Sequence, residues 1–226
     1  GKAASLISNM LGEESLRQRS FVQAHGTSTP QNRVTESHVI NEVAKAFGIE
    51  NWPVSAVKAY LGHSQGTAGG DQLTTSLGVW QYGLIPGIIT TPQIADDVNQ
   101  SNLLLPLQHI ETGTRGTDSV LLNSKGFGGN NASAAVLAPH IVEQMLKQRH
   151  GAQAFTQWKA RSEKTAENAA AYDQAATKGL SKPIYRYDYG VLQGEDLTIT
   201  DKEIRLPGYE QSVNLNCENP FDDMFN

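Results

Sequence analysis

At 226 residues the chain is long enough for one or two domains. With 38% hydrophobic and 18% charged residues it has the composition of a soluble globular protein. Its formal net charge of −5 is spread evenly: residues 1–139 carry 8 Lys/Arg and 10 Asp/Glu, and residues 140–226 carry 10 and 13. Neither part is a basic domain, so no nucleic-acid partner is expected. No apolar run approaches the roughly 18–20 residues that span a bilayer, so no membrane partner is expected either. The N-terminus has no signal-peptide stretch. Without an opening Met, it reads as the middle of a longer polypeptide. The single Cys217 excludes an internal disulfide framework and a Cys-based metal cluster, and it fits a reducing cytoplasm.

In chain order, Phe21-Val-Gln-Ala24 is a short strand that delivers His25 to its C-terminal end. Thr35 is placed to cap a helix. Its apolar positions Val39, Ile40, Val43, Ala44 and Phe47 share one face, and Gly48 stops it. Trp52-Pro-Val-Ser-Ala-Val57 reads as the next strand and delivers Lys58. Residues 66–82 read as a helix whose small residues Gly66, Ala68, Gly69 and Gly70 point to close packing rather than to helix propensity. The run from Leu84 continues extended, and residues 92–106 are polar and turn-rich, as in a surface excursion.

Ser119-Val-Leu-Leu122 and Ala132-Ser-Ala-Ala-Val-Leu137 bracket a Gly-rich turn and read as adjacent strands. Alternating strands and helices followed by this pair predict a layered α/β core over residues 1–139. Residues 140–178 read as helical with a break near Gly151. Ile141, Val142, Met145 and Leu146 are placed to pack on the core, and Phe155 and Trp158 to pack together. Residues 180–226 read as short strands and extended chain, ending in a segment from Asn219 that reads as a docking tail or a disordered end. Residues 140–226 thus form a helical, then extended, C-terminal extension.

Two histidines and a lysine carry the chemistry. His25 and His63 each follow an apolar strand-like run and sit beside glycine and small residues, open to a ligand. Taken singly, each reads as a structural histidine satisfied by the backbone. Lys58 ends the second run, and α/β proteins build sites at strand ends. A lysine there needs a partner if it is buried, and Glu36, eleven residues beyond His25, is the candidate. The pattern gives a shared His–Lys–His site and a solvated lysine beside two structural histidines equal footing. No metal site is expected at the histidines, because no His cluster or Cys pattern accompanies them. A phosphate cradle at the Gly-rich turn is disfavoured, since no Gly-Lys-Ser/Thr ending follows.

Three segments together resemble the β-ketoacyl-acyl-carrier-protein synthases, condensing enzymes of the thiolase superfamily. His25-Gly-Thr-Ser-Thr-Pro30 is similar to that family's His-Gly-Thr-Gly-Thr-Pro. Lys58-Ala-Tyr-Leu-Gly-His63-Ser-Gln-Gly-Thr-Ala-Gly69 is similar to its Lys…Gly-His…Ala-Gly segment, and Gly126-Phe-Gly-Gly-Asn-Asn131 to its Gly-Phe-Gly-Gly-Thr-Asn loop. The matched region, about residues 20–138, corresponds to the family's C-terminal half. The resemblance implies the C-terminal half of a thiolase-like fold and a decarboxylative Claisen condensation of malonyl-carrier protein with an acyl thioester, in fatty-acid or polyketide synthesis. It implies that His25 and His63 stabilise the enolate and that Lys58, held by Glu36, orients them. It further implies that Thr27 and Thr29 bind the pantetheine arm, that Phe127 gates the acyl site and lends its backbone N–H to the acyl oxyanion hole, and that Gly128 binds substrate beside it. No cofactor would be bound by the chain itself; phosphopantetheine would arrive on acyl carrier protein, and the enzyme would be a cytoplasmic homodimer.

The family's cysteine nucleophile belongs to an N-terminal half that these residues do not contain, and Cys217 lies beyond the matched region. Four positions depart from the pattern: Ser28 for Gly, Arg33 for Asp, Thr67 for Ala, and Lys125 for the loop's first Phe. Residues 140–226 have no counterpart in the typical enzyme. Two rivals remain. One is a non-catalytic ketosynthase-like partner subunit, which need not keep the His–Lys–His set. The other is a thiolase-like acyltransferase, which would use a second cysteine in this half.

Overall fold

The computed structural model describes residues 1–182 and 184–219, and the chain opens in it with two helices, α1 (Lys2–Leu11) and α2 (Glu13–Gln18), broken at Gly12. Strand β1 (Ser20–Gln23) follows, then helix α3 (Pro30–Ala46), strand β2 (Trp52–Ser55), the single turn α4 (Lys58–Leu61) and helix α5 (Ala68–Tyr82). Next come the two-residue strands β3 (Leu84–Ile85), β4 (Leu103–Leu104) and β5 (Ile110–Glu111). The hairpin strands β6 (Ser119–Lys125) and β7 (Asn131–Leu137) precede helices α6 (Pro139–His150) and α7 (Ala152–Thr177). Strands β8 (Thr198–Ile199), β9 (Glu203–Arg205) and β10 (Val213–Asn214) are the last elements among the described residues. Contacts divide the chain into two units, Gly1–Ala160 and Arg161–Asn226.

The first unit is built on a five-stranded sheet in the order β4-β2-β1-β6-β7, parallel except for β7, which returns antiparallel to β6. Side-chain alternation along the strands loads both faces. Val22, Ala24, Val54 and Leu121 pack with Ile7, Leu16, Ile40 and Ala44 from α1, α2 and α3. On the opposite face Phe21, Val120 and Leu122 pack with Val79 and Trp80 of α5. The result is the layered α/β core expected from the sequence, with every strand near His25 buried on both sides.

Several boundaries move. Helix α3 begins at Pro30, not after Thr35. Thr29 is extended, its hydroxyl oxygen accepts the Asn32 amide, and Pro30 occupies the first helical position, where its missing N–H costs nothing. Ile40 and Ala44 face the core as expected, whereas Val39 lies on the exposed side. The excursion over residues 92–106 is not wholly surface: β4 adds an edge strand beside β2 and buries Leu103. Gly151, at φ 83°, separates α6 from α7. Ile141 packs on the core, but Val142 and Met145 are exposed. Phe155 and Trp158 meet with ring centroids 5.4 Å apart, leaving Trp158 largely in solvent.

In the second unit β8, β9 and β10 form a small antiparallel sheet in the order β10-β9-β8. Among its described residues no side chain is buried. The terminal segment read as a docking tail lies, beyond Asn219, outside the described residues. No described helix is long and apolar enough to cross a membrane.

Candidate active site

Three neighbouring strand ends build the site. Strand β1 stops at Gln23, and Ala24 extends its pairing by one bond to the Ser55 carbonyl, so His25 stands just past the sheet edge. Gly26 then turns back at φ 61° against Ala56. A Cβ there would lie 3.0 Å from the Ala56 methyl, in a backbone region that other residues rarely adopt. Ser28 also has a positive φ, 58°, so this turn suits the glycine that the family pattern carries at that position. On the next strand, Lys58 does not end β2 but starts α4. Gly62, at φ 72°, ends that turn and presents His63.

The two imidazoles meet edge to face, with ring centroids 5.1 Å apart and planes at 77°. The Nδ1 of His63 accepts the Gln65 amide at 2.9 Å, so the neutral ring carries its proton on Nε2. The His63 side chain is exposed, whereas His25 is buried and its Nδ1 has no hydrogen-bond partner among the described residues. Burial holds the His25 pKa below its usual value, the nearby Lys58 charge adds to this, and Glu36 opposes it. His25 is therefore a neutral imidazole at pH 7.

Lys58 donates its ammonium to the His25 carbonyl. Burial lowers its pKa, and the Glu36 and Asp71 charges work against that shift. The direct Lys58–Glu36 pair expected from the sequence does not form. The buried Glu36 carboxylate instead accepts the His25 amide at 2.7 Å and the Gly26 amide at 2.9 Å, with Asn123 at 2.5 Å and Asn32 at 3.0 Å. Two backbone N–H groups at a turn outcompete a lysine because they have no other acceptor there. Glu36 thus fixes the His25 loop itself, and it influences Lys58 through charge alone.

Sequence reasoning missed the other clamp. Gln72, fully buried on α5, donates to the Ala24 carbonyl at 2.8 Å and the Asn123 carbonyl at 2.9 Å, and accepts from the Ser124 hydroxyl at 3.1 Å. It ties the end of β1 to the end of β6. Its one sequence signal is a long amide inside a helix start made of Ala and Gly.

His25, Gln65, Gln72, Lys125 and Asn130 are among the residues lining an open cleft of about 580 Å³. The Gly-rich turn rims it: the Gly126 amide donates to the Asn130 carbonyl at 2.8 Å, Gly128 turns at φ 76°, and the Phe127 ring stands entirely in solvent. Thr27 is half-buried. The Thr29 hydroxyl oxygen is engaged as the α3 cap, leaving its O–H free to donate. On the other side of the His25 loop a mainly apolar cavity of about 240 Å³ is lined partly by Arg33, which pairs with Asp97 through two 2.8 Å contacts. Among the described residues no cluster of His, Cys, Asp or Glu is placed to hold a metal ion, and Cys217 is exposed in the second unit.

The family model of the β-ketoacyl synthase C-terminal domain matches residues 2–91, which include His25, Lys58 and His63. The chain is similar to the β-ketoacyl synthase C-terminal domain over that segment. It is 43% identical over 223 residues to the β-ketoacyl-acyl-carrier-protein synthase FabY of Pseudomonas aeruginosa, covering 99% of this chain and 35% of that protein. It superposes on the crystal structure of the ketosynthase FabY from P. aeruginosa with a TM-score of 0.80 and 42% identity, over 100% of this chain and 35% of that one. The 3-oxoacyl-acyl-carrier-protein synthase 1 of Escherichia coli is 36% identical over 113 residues, 50% of this chain and 26% of that protein. The chain therefore spans about a third of the length of the FabY-type ketosynthase. The extension that has no counterpart in the typical enzyme does have one in FabY, since that match runs through nearly the whole chain.

The lowered His25 pKa has a signed consequence. An unfolded histidine takes up its proton near pH 6.5, before the folded one does, so the folded state loses stability as pH falls through about 6.5. The loss levels off once folded His25 is itself protonated. An NMR titration of the His25 imidazole is expected to give a midpoint below about 6.5; a midpoint above that value would contradict the neutral, desolvated ring.

Proposed function

We propose that these residues are the histidine–lysine–histidine part of a β-ketoacyl-acyl-carrier-protein synthase. Residues 1–139 act as the C-terminal ketosynthase half, and residues 140–226 as an extension of the FabY kind. The observation that carries the reading is the pair of imidazoles 5.1 Å apart at adjacent strand ends, the second with its Nδ1 accepting a backbone amide so that its Nε2 is left to donate.

The chemistry follows from that pair. As a malonyl thioester loses CO2, the electrons of the breaking C–C bond move onto the thioester oxygen as an enolate. Two N–H donors aimed at that oxygen bind it more tightly as charge develops, which lowers the barrier rather than merely binding substrate. A neutral imidazole donates without giving up its proton, so the enolate stays reactive. The enolate carbon then attacks the carbonyl of an acyl thioester, and the thiolate of a cysteine elsewhere in the intact protein leaves. Lys58, bound to the His25 carbonyl, and Glu36, bound to the His25 and Gly26 amides, hold the first imidazole in place. The Thr27 and Thr29 hydroxyls lie on the same loop, within the chain's reach of a pantetheine arm delivered by acyl carrier protein. Phe127 and Gly128 lie on the turn whose Gly126 and Asn130 line the cleft where the acyl chain would enter.

Helix α5 buries Val79 and Trp80 together with Gln72 and Ser76, yet leaves Leu73 and Leu77 exposed. Those exposed leucines support a further part of the ketosynthase lying over them. The reading places the enzyme in the cytoplasm as a homodimer, in fatty-acid or polyketide synthesis. The test is to supply the intact native protein with malonyl-carrier protein and an acyl thioester. β-Ketoacyl product with equimolar CO2 is the expected result. No product and no CO2 would leave the non-catalytic partner subunit as the better reading.

A further inference from the structure

The 580 Å³ cleft at His25 is lined mainly by amides, small residues and hydroxyls, and by one side chain with a permanent charge, Lys125. Lys125 ends β6, and it stands where the related loops carry a phenylalanine. Its ammonium makes a single long hydrogen bond, 3.3 Å to the Thr35 hydroxyl, and it takes part in none of the ion pairs among the described residues. It is half-buried, and its charge reaches the His25 imidazole, which it helps to keep neutral. The other nearby cation is committed: the Lys58 ammonium is held by the His25 carbonyl.

A weakly held cation in an otherwise uncharged cleft discriminates between ligands by charge. The two substrates of the proposed condensation differ in one respect that such a cation reads: the malonyl thioester ends in a carboxylate, and the acyl starter ends in a neutral alkyl chain. We infer that Lys125 is the specificity-determining residue that draws the malonyl carboxylate into the histidine cleft, exchanging its Thr35 hydrogen bond for the substrate. The inference rests on the proposed synthase reaction.

The carboxylate is present before CO2 leaves and absent afterwards. Binding it is ground-state recognition, and its loss is read chiefly in KM. A partly exposed ion pair of this kind is worth about a two- to fivefold change in affinity. Lys125 then stays near the charge as it moves to the thioester oxygen, and near the ring that donates to it.

The test compares Lys125→Met, Lys125→Arg and wild type in the intact protein, varying malonyl and starter thioesters separately. Lys125→Met is expected to raise the ratio of malonyl KM to starter KM about two- to fivefold, and Lys125→Arg to restore most of it. Raising ionic strength from about 0.05 to 0.5 M should raise the same ratio in wild type, because salt screens the pair. That measurement carries the test alone if Lys125→Met does not fold. A purely structural role would shift both KM values together and show no charge rescue. An active wild type whose ratio ignores both salt and the Met substitution overturns the role of Lys125 and leaves the synthase reading intact. A wild type that makes no malonyl-dependent product overturns both.

Discussion

His63→Ala is expected to lower CO2 release from malonyl-carrier protein by about 10²- to 10³-fold, the usual loss when one oxyanion donor is removed. The His63 ring is exposed and its Nδ1 touches only the Gln65 amide, so the substitution removes a donor without emptying the core. The fold should survive, and an unchanged thermal transition would show that it has. His63→Gln is the informative companion, because a side-chain amide can still donate one N–H toward the oxygen. Activity in Gln well above that in Ala would identify donation as the lost function. A decarboxylation rate in His63→Ala within threefold of wild type would defeat the role assigned to it.

Glu36→Ala is expected to cost both stability and activity. The carboxylate accepts four hydrogen bonds, two of them from the backbone amides of His25 and Gly26. Its removal leaves those donors buried without an acceptor, and each orphaned group costs about 1–3 kcal/mol. A total near 3–5 kcal/mol, the range for breaking a buried charged network, is the expected loss in a denaturant titration. The His25 loop also loses its anchor, so the decarboxylation rate should fall even at temperatures where the variant is folded. Glu36 raises the Lys58 pKa against burial, so the variant leaves the Lys58 ammonium easier to deprotonate. Glu36→Gln separates the effects: it retains the size and one acceptor oxygen and should recover part of the stability. A loss below about 1 kcal/mol for Glu36→Ala would mean that the loop is held otherwise.

The layered core was legible in local patterns, whereas the meeting of His25 and His63 was only half legible in them and needed the family resemblance to favour it. Apolar runs at 21–24, 52–57 and 119–122 mark strands, and small residues after each run leave room at the strand ends. Partners set by backbone competition were not legible. Nothing in the sequence says that the Glu36 carboxylate will prefer two turn amides to the Lys58 ammonium, because that depends on how tightly Gly26 lets the chain turn against Ala56. The start of α3 was misplaced for a related reason: Thr35 looks like a cap in the apolar periodicity, but Thr29-Pro30 supplies the better terminus one and a half turns earlier. β4 was missed because a two-residue edge strand carries no periodicity, and Leu103 is buried only by what lies beside it. Gln72 was missed because a buried amide in a helix is recognisable only when its acceptors, two strand ends far apart in sequence, are in place. The extension of residues 140–226 gives clear helical signals up to Thr177 and weak ones after it, where strands of two or three residues carry little pattern.

The central claim is that the paired imidazoles hold the thioester oxygen on which the enolate forms. The most direct measurement is a crystal structure of the intact protein with a non-hydrolysable malonyl mimic, an amide in place of the thioester. The account predicts the mimic's carbonyl oxygen within about 3 Å of a ring nitrogen of both His25 and His63. A mimic bound with that oxygen turned away from the histidine pair, in an enzyme that still decarboxylates, would contradict it.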